Sequence, residues 1–417
     1  MERLLLRSTT LILLVSVIIL QNGCTGQPDS ATHQINPQAH SSAVPIPKSQ
    51  EEKPKASPTT EAPPSPPSPS TYPPNGPRVQ STNDNRQPIS QNVQVKGIYV
   101  SAWSTVGSKF DKLVKLVDDT DLNAMVIDVK NDSGQVTHPS KVPLVNEIGA
   151  NSNIIIKDMK AKLLYLKEKN IYSIARIVVF KDPYLSKKKP DYAMKRKSGG
   201  VWKDNKGIAW VDPYIEDVWN YNIEIAKEAA SLGFDEIQFD YVRFPDNGRK
   251  VDKEVTFSNN RGWSKPEVIE GFLKRAKEQI KGTPISADVF GLTTSSDNDM
   301  GIGQEWNRIS KYVNTISPML YPSHYSSGVY GVKHPDLQPY AIIHKAIGDA
   351  ILKNNILQKQ GIQAAGIRPW FQDFTATWVK PHQTYDANDV REQVKAAKEY
   401  QVEQFILWNS TSTYTYR

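Results

Sequence analysis

From Val95 onward, short apolar runs alternate with amphipathic stretches, and this alternation constrains the fold more than any other feature of the chain. Eight runs read as strands: Gly97–Ala102, Ala124–Val129, Ser173–Phe180, Glu236–Phe244, Ile285–Phe290, Thr315–Tyr321, Ala365–Phe371 and Gln404–Trp408. Helical spacing of apolar residues fills several gaps between them, as in Ile154–Asn170, Ile215–Leu232 and Pro266–Ile280. Strands separated by helices must pair in parallel, because a crossover helix returns the chain to the same end of the sheet. Eight such units in the last three quarters of a 417-residue chain predict an α/β protein of the (β/α)8 TIM-barrel type. An open doubly wound sheet is the competing topology, but no glycine-rich phosphate loop follows an early strand.

The chain before the barrel has a different texture, and it divides the protein into residues 1–24, 25–93 and 94–417. Arg3 and Arg7 flank the start of an apolar run, Leu11–Leu20, which suits a signal segment and is short for a free-standing membrane span. Cys24, the chain's single cysteine, follows at once. Its position resembles the lipobox of bacterial lipoproteins, although Gln21 and Asn22 stand where Leu and a small residue are usual. A lipidated Cys24 would anchor the protein to a membrane; an ordinary cleaved signal peptide is the alternative. Both predict an exported protein, working at the cell surface or in the periplasm. Residues 25–93 are rich in Pro, Ser and Thr with almost no large apolar side chain, so they predict a disordered stalk.

A lone cysteine excludes an internal disulfide and a cysteine-rich metal site. The net charge of +7 reads as spread along the chain, with Lys187–Lys189 and Lys195–Lys197 as the only basic runs. It fits anionic wall polymers or lipid headgroups. No nucleic-acid-binding signature accompanies it.

In a barrel, chemistry belongs at the C-terminal ends of the strands. Those ends carry Asp128 in the second strand, Asp240 in the fourth, Asp288 in the fifth and Asp373 after the seventh. Alternation along the strands turns Val126 and Asp128, Gln238, Asp240 and Val242, and Ser286 and Asp288 inward, while Ile237, Phe239 and Tyr241 face the helices. Carboxylates meeting on one axis push one pKa upward, which separates an acid from a base. Asp128 and Asp373 have an equal claim as helix caps or loop anchors. Arg176 and Arg243 can orient carboxylates or form structural ion pairs. Tyr241, Tyr321, Trp370 and Trp408, with Trp103, Trp210 and Trp378, can stack on sugar rings or pack in the core.

The segment Phe234-Asp235-Glu236-Ile237-Gln238-Phe239-Asp240-Tyr241-Val242-Arg243-Phe244-Pro245 resembles the strand-four signature of the barrel-type glycosyl hydrolase domain family of bacterial envelope proteins. Val95–Ser101 and Asn123–Lys130 are similar to the first two strands of that family. The resemblance implies a TIM barrel acting on a polysaccharide without a cofactor. More distantly it implies the pattern of the α-amylase superfamily: a strand-four nucleophile (Asp240), a strand-five acid/base (Asp288) and a strand-seven carboxylate that steadies the substrate (Asp373). The chain departs from that pattern twice. Strand five offers Asp in place of Glu, and Gln238 stands where an Arg is usual.

Other chemistries have less support. No His-Glu-x-x-His or cysteine pair marks a zinc site, and no Gly-x-Ser-x-Gly marks a serine hydrolase. His324, after the sixth strand, is the one histidine placed near the expected mouth. Asp128, Asn131 and Asp132 are oxygen ligands that would suit a divalent cation. The expectation is a glycosidase of an envelope or extracellular polysaccharide; a barrel that binds a glycan without cleaving it is the rival, and a deacetylase or lyase the third choice.

Overall fold

The computed structural model describes residues 93–417. Cys24, the signal segment and all but the last residue of the predicted stalk lie outside the described residues.

Eight parallel strands close into a barrel: β1 (Lys96–Val100), β2 (Ala124–Lys130), β3 (Tyr172–Val178), β4 (Glu236–Asp240), β5 (Ile285–Phe290), β6 (Thr315–Leu320), β7 (Trp370–Gln372) and β8 (Phe405–Trp408). Each pairs with its neighbours in order, and β8 returns to β1 through Lys96↔Phe405 and Ile98↔Leu407. The seventh position is split. A two-residue strand, Gly366–Ile367, pairs with the start of β6 at the base, and β7 resumes above it between β6 and β8.

Helices α1 (Ser108–Asp118), α2 (Met159–Glu168), α3 (Glu216–Leu232), α4 (Lys265–Gln279), α5 (Trp306–Ser310), α6 (Pro339–Lys359) and α7 (Ala387–Lys398) follow successive strands. Where an α8 would follow β8, the described chain runs as a tail, residues 409–417, with Tyr414 and Tyr416 buried. Two of these helices start where capping chemistry, rather than apolar spacing, puts them. α2 begins at Met159 instead of Ile154, because the Asp158 side chain accepts from the Ala161 amide at 2.9 Å. α4 opens on a capping box made by Ser264 and Glu267.

The strands bury side chains on both faces, which is why they read as nearly continuous apolar runs. Ile98, Val100, Met125, Ile127, Ile237 and Phe239 pack with helix residues in the larger core. Val95, Tyr99, Ala124, Val126, Ile174, Tyr321, Trp370 and Ile406 form a separate cluster inside the barrel. Period-two alternation therefore holds for β2 and β4, with one correction. β4 stops at Asp240 rather than Phe244, because Tyr241 takes the left-handed region at φ 50°. The alternation ends there, and Val242 joins the outer core instead of pointing inward.

The loop between β3 and α3 is enlarged into a lobe. Its segment Lys195–Arg196 pairs antiparallel with Val255–Thr256, from the loop between β4 and α4. Isolated bridges Lys195↔Val201, Lys203↔Ala209 and Ala193↔Val211 complete a small meander on the mouth side of the barrel.

Candidate active site

Three of the four predicted carboxylates meet at the C-terminal mouth, and the residue that gathers two of them is Arg176. It stands on β3, beside Gln238 in the register with β4. Its Nε and Nη2 donate to Asp240 Oδ2 at 2.9 and 2.6 Å, and its Nη1 donates to Asp128 Oδ1 at 2.7 Å. Both terminal nitrogens also reach Asp132 Oδ2 at 3.2 Å. Arg176 is 1% exposed, so its charge acts with little solvent screening. Burial opposes its charge, but Asp132, Asp240 and Asp128 outweigh burial and hold the guanidinium far above its ordinary value. Arg176 thus stands beside Gln238, on the adjacent strand at the same level.

The carboxylates differ in their surroundings. Asp240 is ion-paired with Arg176, and its Oδ1 accepts from the Tyr241 amide at 2.6 Å. The left-handed turn at Tyr241 brings that amide back onto the side chain. Asp288 is 1% exposed and has a neutral donor, Trp370 Nε1, at 2.7 Å. Burial, and next the charge of Asp240, push its carboxyl well above the usual range. Asp128 accepts from the Tyr99 hydroxyl at 2.6 Å; burial raises its carboxyl, against the pull of Arg176. Asp132 has a side chain 41% exposed to solvent. Burial raises it, but Arg176 and Lys181 together prevail and hold it down at about 2. The site thus combines a carboxyl whose burial favours the neutral form with carboxylates gathered on an arginine.

The predicted aromatic residues divide. Trp408 lies 4.3 Å from the Tyr99 ring, with the Arg176 guanidinium 5.7 Å from its own ring centre. Trp370 is buried and committed to Asp288. Tyr321 is buried beneath the mouth, where burial and then Asp288 and Asp240 push its hydroxyl far up. Tyr241 receives a hydrogen bond from Lys181 Nζ at 3.2 Å and packs edge-on against Trp210. Arg243 does not touch the carboxylates of the cluster. It pairs with Asp246 at 2.8 Å and lies over Trp210, Tyr241 and Phe290. At the rim, Trp378 is 38% exposed and stacks on Phe374, with His324 edge-on to both, and Trp103 is 63% exposed.

Asp373 is not brought to the cluster. Its carboxylate accepts from the Thr415 amide and hydroxyl and from the Tyr416 amide, so it anchors the tail. Three donors from one peptide segment match what a carboxylate at a strand end collects when a chain must be pinned there. Nor do Asp128, Asn131 and Asp132 form a cation site. Arg176 stands between the two aspartates, and Asn131 Oδ1 accepts from the Ser133 and Gln135 amides. Among the described residues no group of three or more His, Cys, Asp or Glu is arranged to hold a metal.

Sequence reasoning missed Tyr99, the placement of Asp132 on Arg176, and Lys181. Tyr99 was legible as a polar-tipped residue at an inward position of β1. Lys181, just past β3, gave no signal. At the base of the barrel, Arg368 pairs with Glu236, which also accepts from Ser286. This buried pair fills the end of the barrel remote from the mouth.

A family profile described as "Putative glycosyl hydrolase domain" matches residues 97–414. No curated protein matches the chain. Among solved structures, a hypothetical protein from Ruminiclostridium thermocellum ATCC 27405 is 43% identical over 46% of this chain and 97% of its own, with a TM-score of 0.42. The PgaB (BpsB) glycoside hydrolase domain from Bordetella bronchiseptica is 12% identical over 76% of this chain and 94% of its own, with a TM-score of 0.53, a likeness of fold. The PelA glycoside hydrolase domain from Pseudomonas aeruginosa is 10% identical over 76% and 96%, with a TM-score of 0.42.

Proposed function

Since the chain belongs to the glycosyl hydrolase domain family whose profile spans residues 97–414, we propose that it hydrolyses glycosidic bonds in a cell-envelope or extracellular polysaccharide by carboxylate acid–base catalysis. The observation that carries this reading is the contrast between two neighbouring carboxyls. Burial and the charge of Asp240 push the Asp288 carboxyl upward and favour its neutral form, while Asp240 is ion-paired with Arg176. Pairs of titratable groups driven apart in this way divide into acid and base. In this reading Asp288 protonates the leaving glycosidic oxygen, and Asp240 attacks the anomeric carbon directly or through a water. Arg176 holds Asp240 and Asp128 in place, and Trp370 orients Asp288. Trp408 and Tyr241 offer ring faces beside the reacting centre. A panel of purified wall and capsular polysaccharides, assayed for new reducing ends with the wild type, Asp240→Asn and Asp288→Asn, tests it. Turnover lost in both variants supports the assignment; turnover retained in both removes it.

The second reading is a barrel that binds a glycan without cleaving it. The 1% exposure of Asp288 favours it, since a catalytic acid must meet its substrate. That reading requires no turnover on any polymer, together with glycan affinity that survives both substitutions and falls when Trp408 is changed to Ala.

The same proposal places the protein outside the cytoplasm, exported by residues 1–24 and held at the membrane through a lipid on Cys24. Support comes from the basic and apolar pattern before Cys24 and from the Pro-rich spacing that separates it from the barrel. Among the described residues no helix is long and apolar enough to cross a membrane.

A further inference from the structure

The charge of the folded domain is not spread along it. Residues 93–417 carry 44 Lys and Arg against 38 Asp and Glu, a net of +6. The stretch Lys181–Lys206 alone carries nine basic and three acidic residues, which is the same +6. The rest of the barrel is balanced. This stretch is the first part of the lobe between β3 and α3, on the mouth side.

Within the lobe, the acidic residues do little to offset the cations at the surface. Asp182 is fully buried and spent on Lys130, at 2.6 Å. Asp204 accepts from the Lys206 and Ile208 amides and from Trp210 Nε1, so it closes a turn. Asp191 is exposed and stands 3.8 Å from Lys195, and Glu147 outside the lobe pairs with Lys189. Lys187, Lys188, Arg196 and Lys203 are exposed, and among the described residues no carboxylate lies within ion-pair distance of them. Concentrating like charges on one small meander is unfavourable for the fold alone, because each repels the next. The lobe is nevertheless firmly tied down: Trp202 Nε1 donates to Glu254 at 2.8 Å, and the meander pairs with Val255–Thr256.

The lobe is also continuous with the candidate active site. Lys181, at its start, donates to Asp132 and to the Tyr241 hydroxyl, and Trp210, just past its end, packs on the Tyr241 ring. Tyr241 is the neighbour of Asp240. A polymer threaded past Asp240 and leaving on this side passes over the basic lobe.

Resting on the glycosidase reading above, the geometry points to an anionic polysaccharide as the substrate class, with the lobe Lys181–Lys206 holding its carboxylate or phosphate groups while the adjoining sugar lies at Asp240 and Asp288. Exposed lysines and arginines act on such a chain at long range and lose their hold as salt screens them. The charged polymer is therefore captured by the lobe and cleaved at the carboxylates.

The test uses full-length protein and the variant Lys187→Gln/Lys188→Gln/Arg196→Gln/Lys203→Gln, whose side chains make no ion pair. An unchanged melting temperature establishes its fold. Binding is measured for a polyuronate, a polyol-phosphate polymer, a neutral glucan and vesicles containing anionic lipid, at low salt and at about 0.5 M NaCl, with Asp240→Asn as the background so that nothing is consumed. The expected result is binding of a polyanionic polymer that the quadruple variant weakens by about tenfold or more at low salt, with the difference vanishing at high salt. The polyuronate and phosphate arms identify which anion the lobe prefers. Equal binding by both proteins, equal binding of the neutral glucan, or a lobe that holds vesicles but no polymer overturns the assignment. Turnover separates the two ideas. Cleavage of a neutral glycan with salt-independent KM keeps the glycosidase and removes the anionic substrate. Lobe-dependent binding of a polyanion, with no cleavage of any polymer, keeps the lobe and removes the glycosidase.

Discussion

Arg176 and Asp288 are the two residues on which the site depends, and they act by opposite means. Arg176 neutralises: with it gone, Asp128 and Asp240 lose their buried ion-pair partner and keep only the Tyr99 hydroxyl and the Tyr241 amide. Arg176→Gln is expected to destabilise the barrel by about 3–5 kcal/mol, measured by denaturant unfolding. A loss under 1 kcal/mol would show that solvent reaches the cluster. Asp288 does the reverse, because its burial favours the neutral carboxyl. Its folded value is raised by burial and by Asp240, so the folded state binds a proton that the unfolded chain releases. The stability this contributes is complete below the ordinary aspartate range and is lost as pH rises through the raised folded value. Melting temperature should therefore fall as pH rises across that window, a fall that Asp288→Asn lacks. In kinetics the same proton forms the alkaline limb of the rate profile, and Asp288→Asn should remove that limb selectively. Asp240→Asn should instead cut the rate by about 10²-fold or more while glycan binding persists. An unchanged alkaline limb in Asp288→Asn would move the acid to Asp128, whose carboxyl burial also raises.

Among the elements, the tail after β8 shows how one strand-end carboxylate can be read two ways. Asp373, expected from its place after β7 to be a site carboxylate, instead holds Thr415 and Tyr416 and fixes the segment that buries Tyr414 and Tyr416. Asp373→Ala is expected to cost about 1–3 kcal/mol through the unpaired amides, with KM and pH profile unchanged. Limited proteolysis of residues 409–417 reports whether the tail has come loose. A large fall in turnover without loss of stability would return Asp373 to the catalytic machinery. β4 is the complementary case. Its run of apolar residues continues past Asp240, but the left-handed backbone at Tyr241 ends the strand and aims the following residues elsewhere. That turn sets the height of Asp240 in the mouth.

For the whole molecule, the anchor and the barrel make separable predictions. Cys24→Ser should release the protein into the medium or leave an unprocessed precursor, followed by fractionation and immunoblot, without altering turnover by the soluble domain. Unchanged membrane retention would favour an ordinary signal segment or an uncleaved anchor. What the amino-acid sequence determined by itself is the barrel: eight buried parallel strands, each near its observed place, and three inward carboxylates on β2, β4 and β5. That much is local, since apolar periodicity and alternation are properties of neighbouring residues. Tertiary structure alone decided that Arg176 of β3 gathers Asp240 of β4 and Asp128 of β2, because the register between strands sets residues distant in sequence side by side. It also decided that Asp373 serves the tail and that Trp370 is committed to Asp288. Each of these depends on which distant segment arrives at a strand end, and closure of the barrel, rather than any local pattern, brings those segments together.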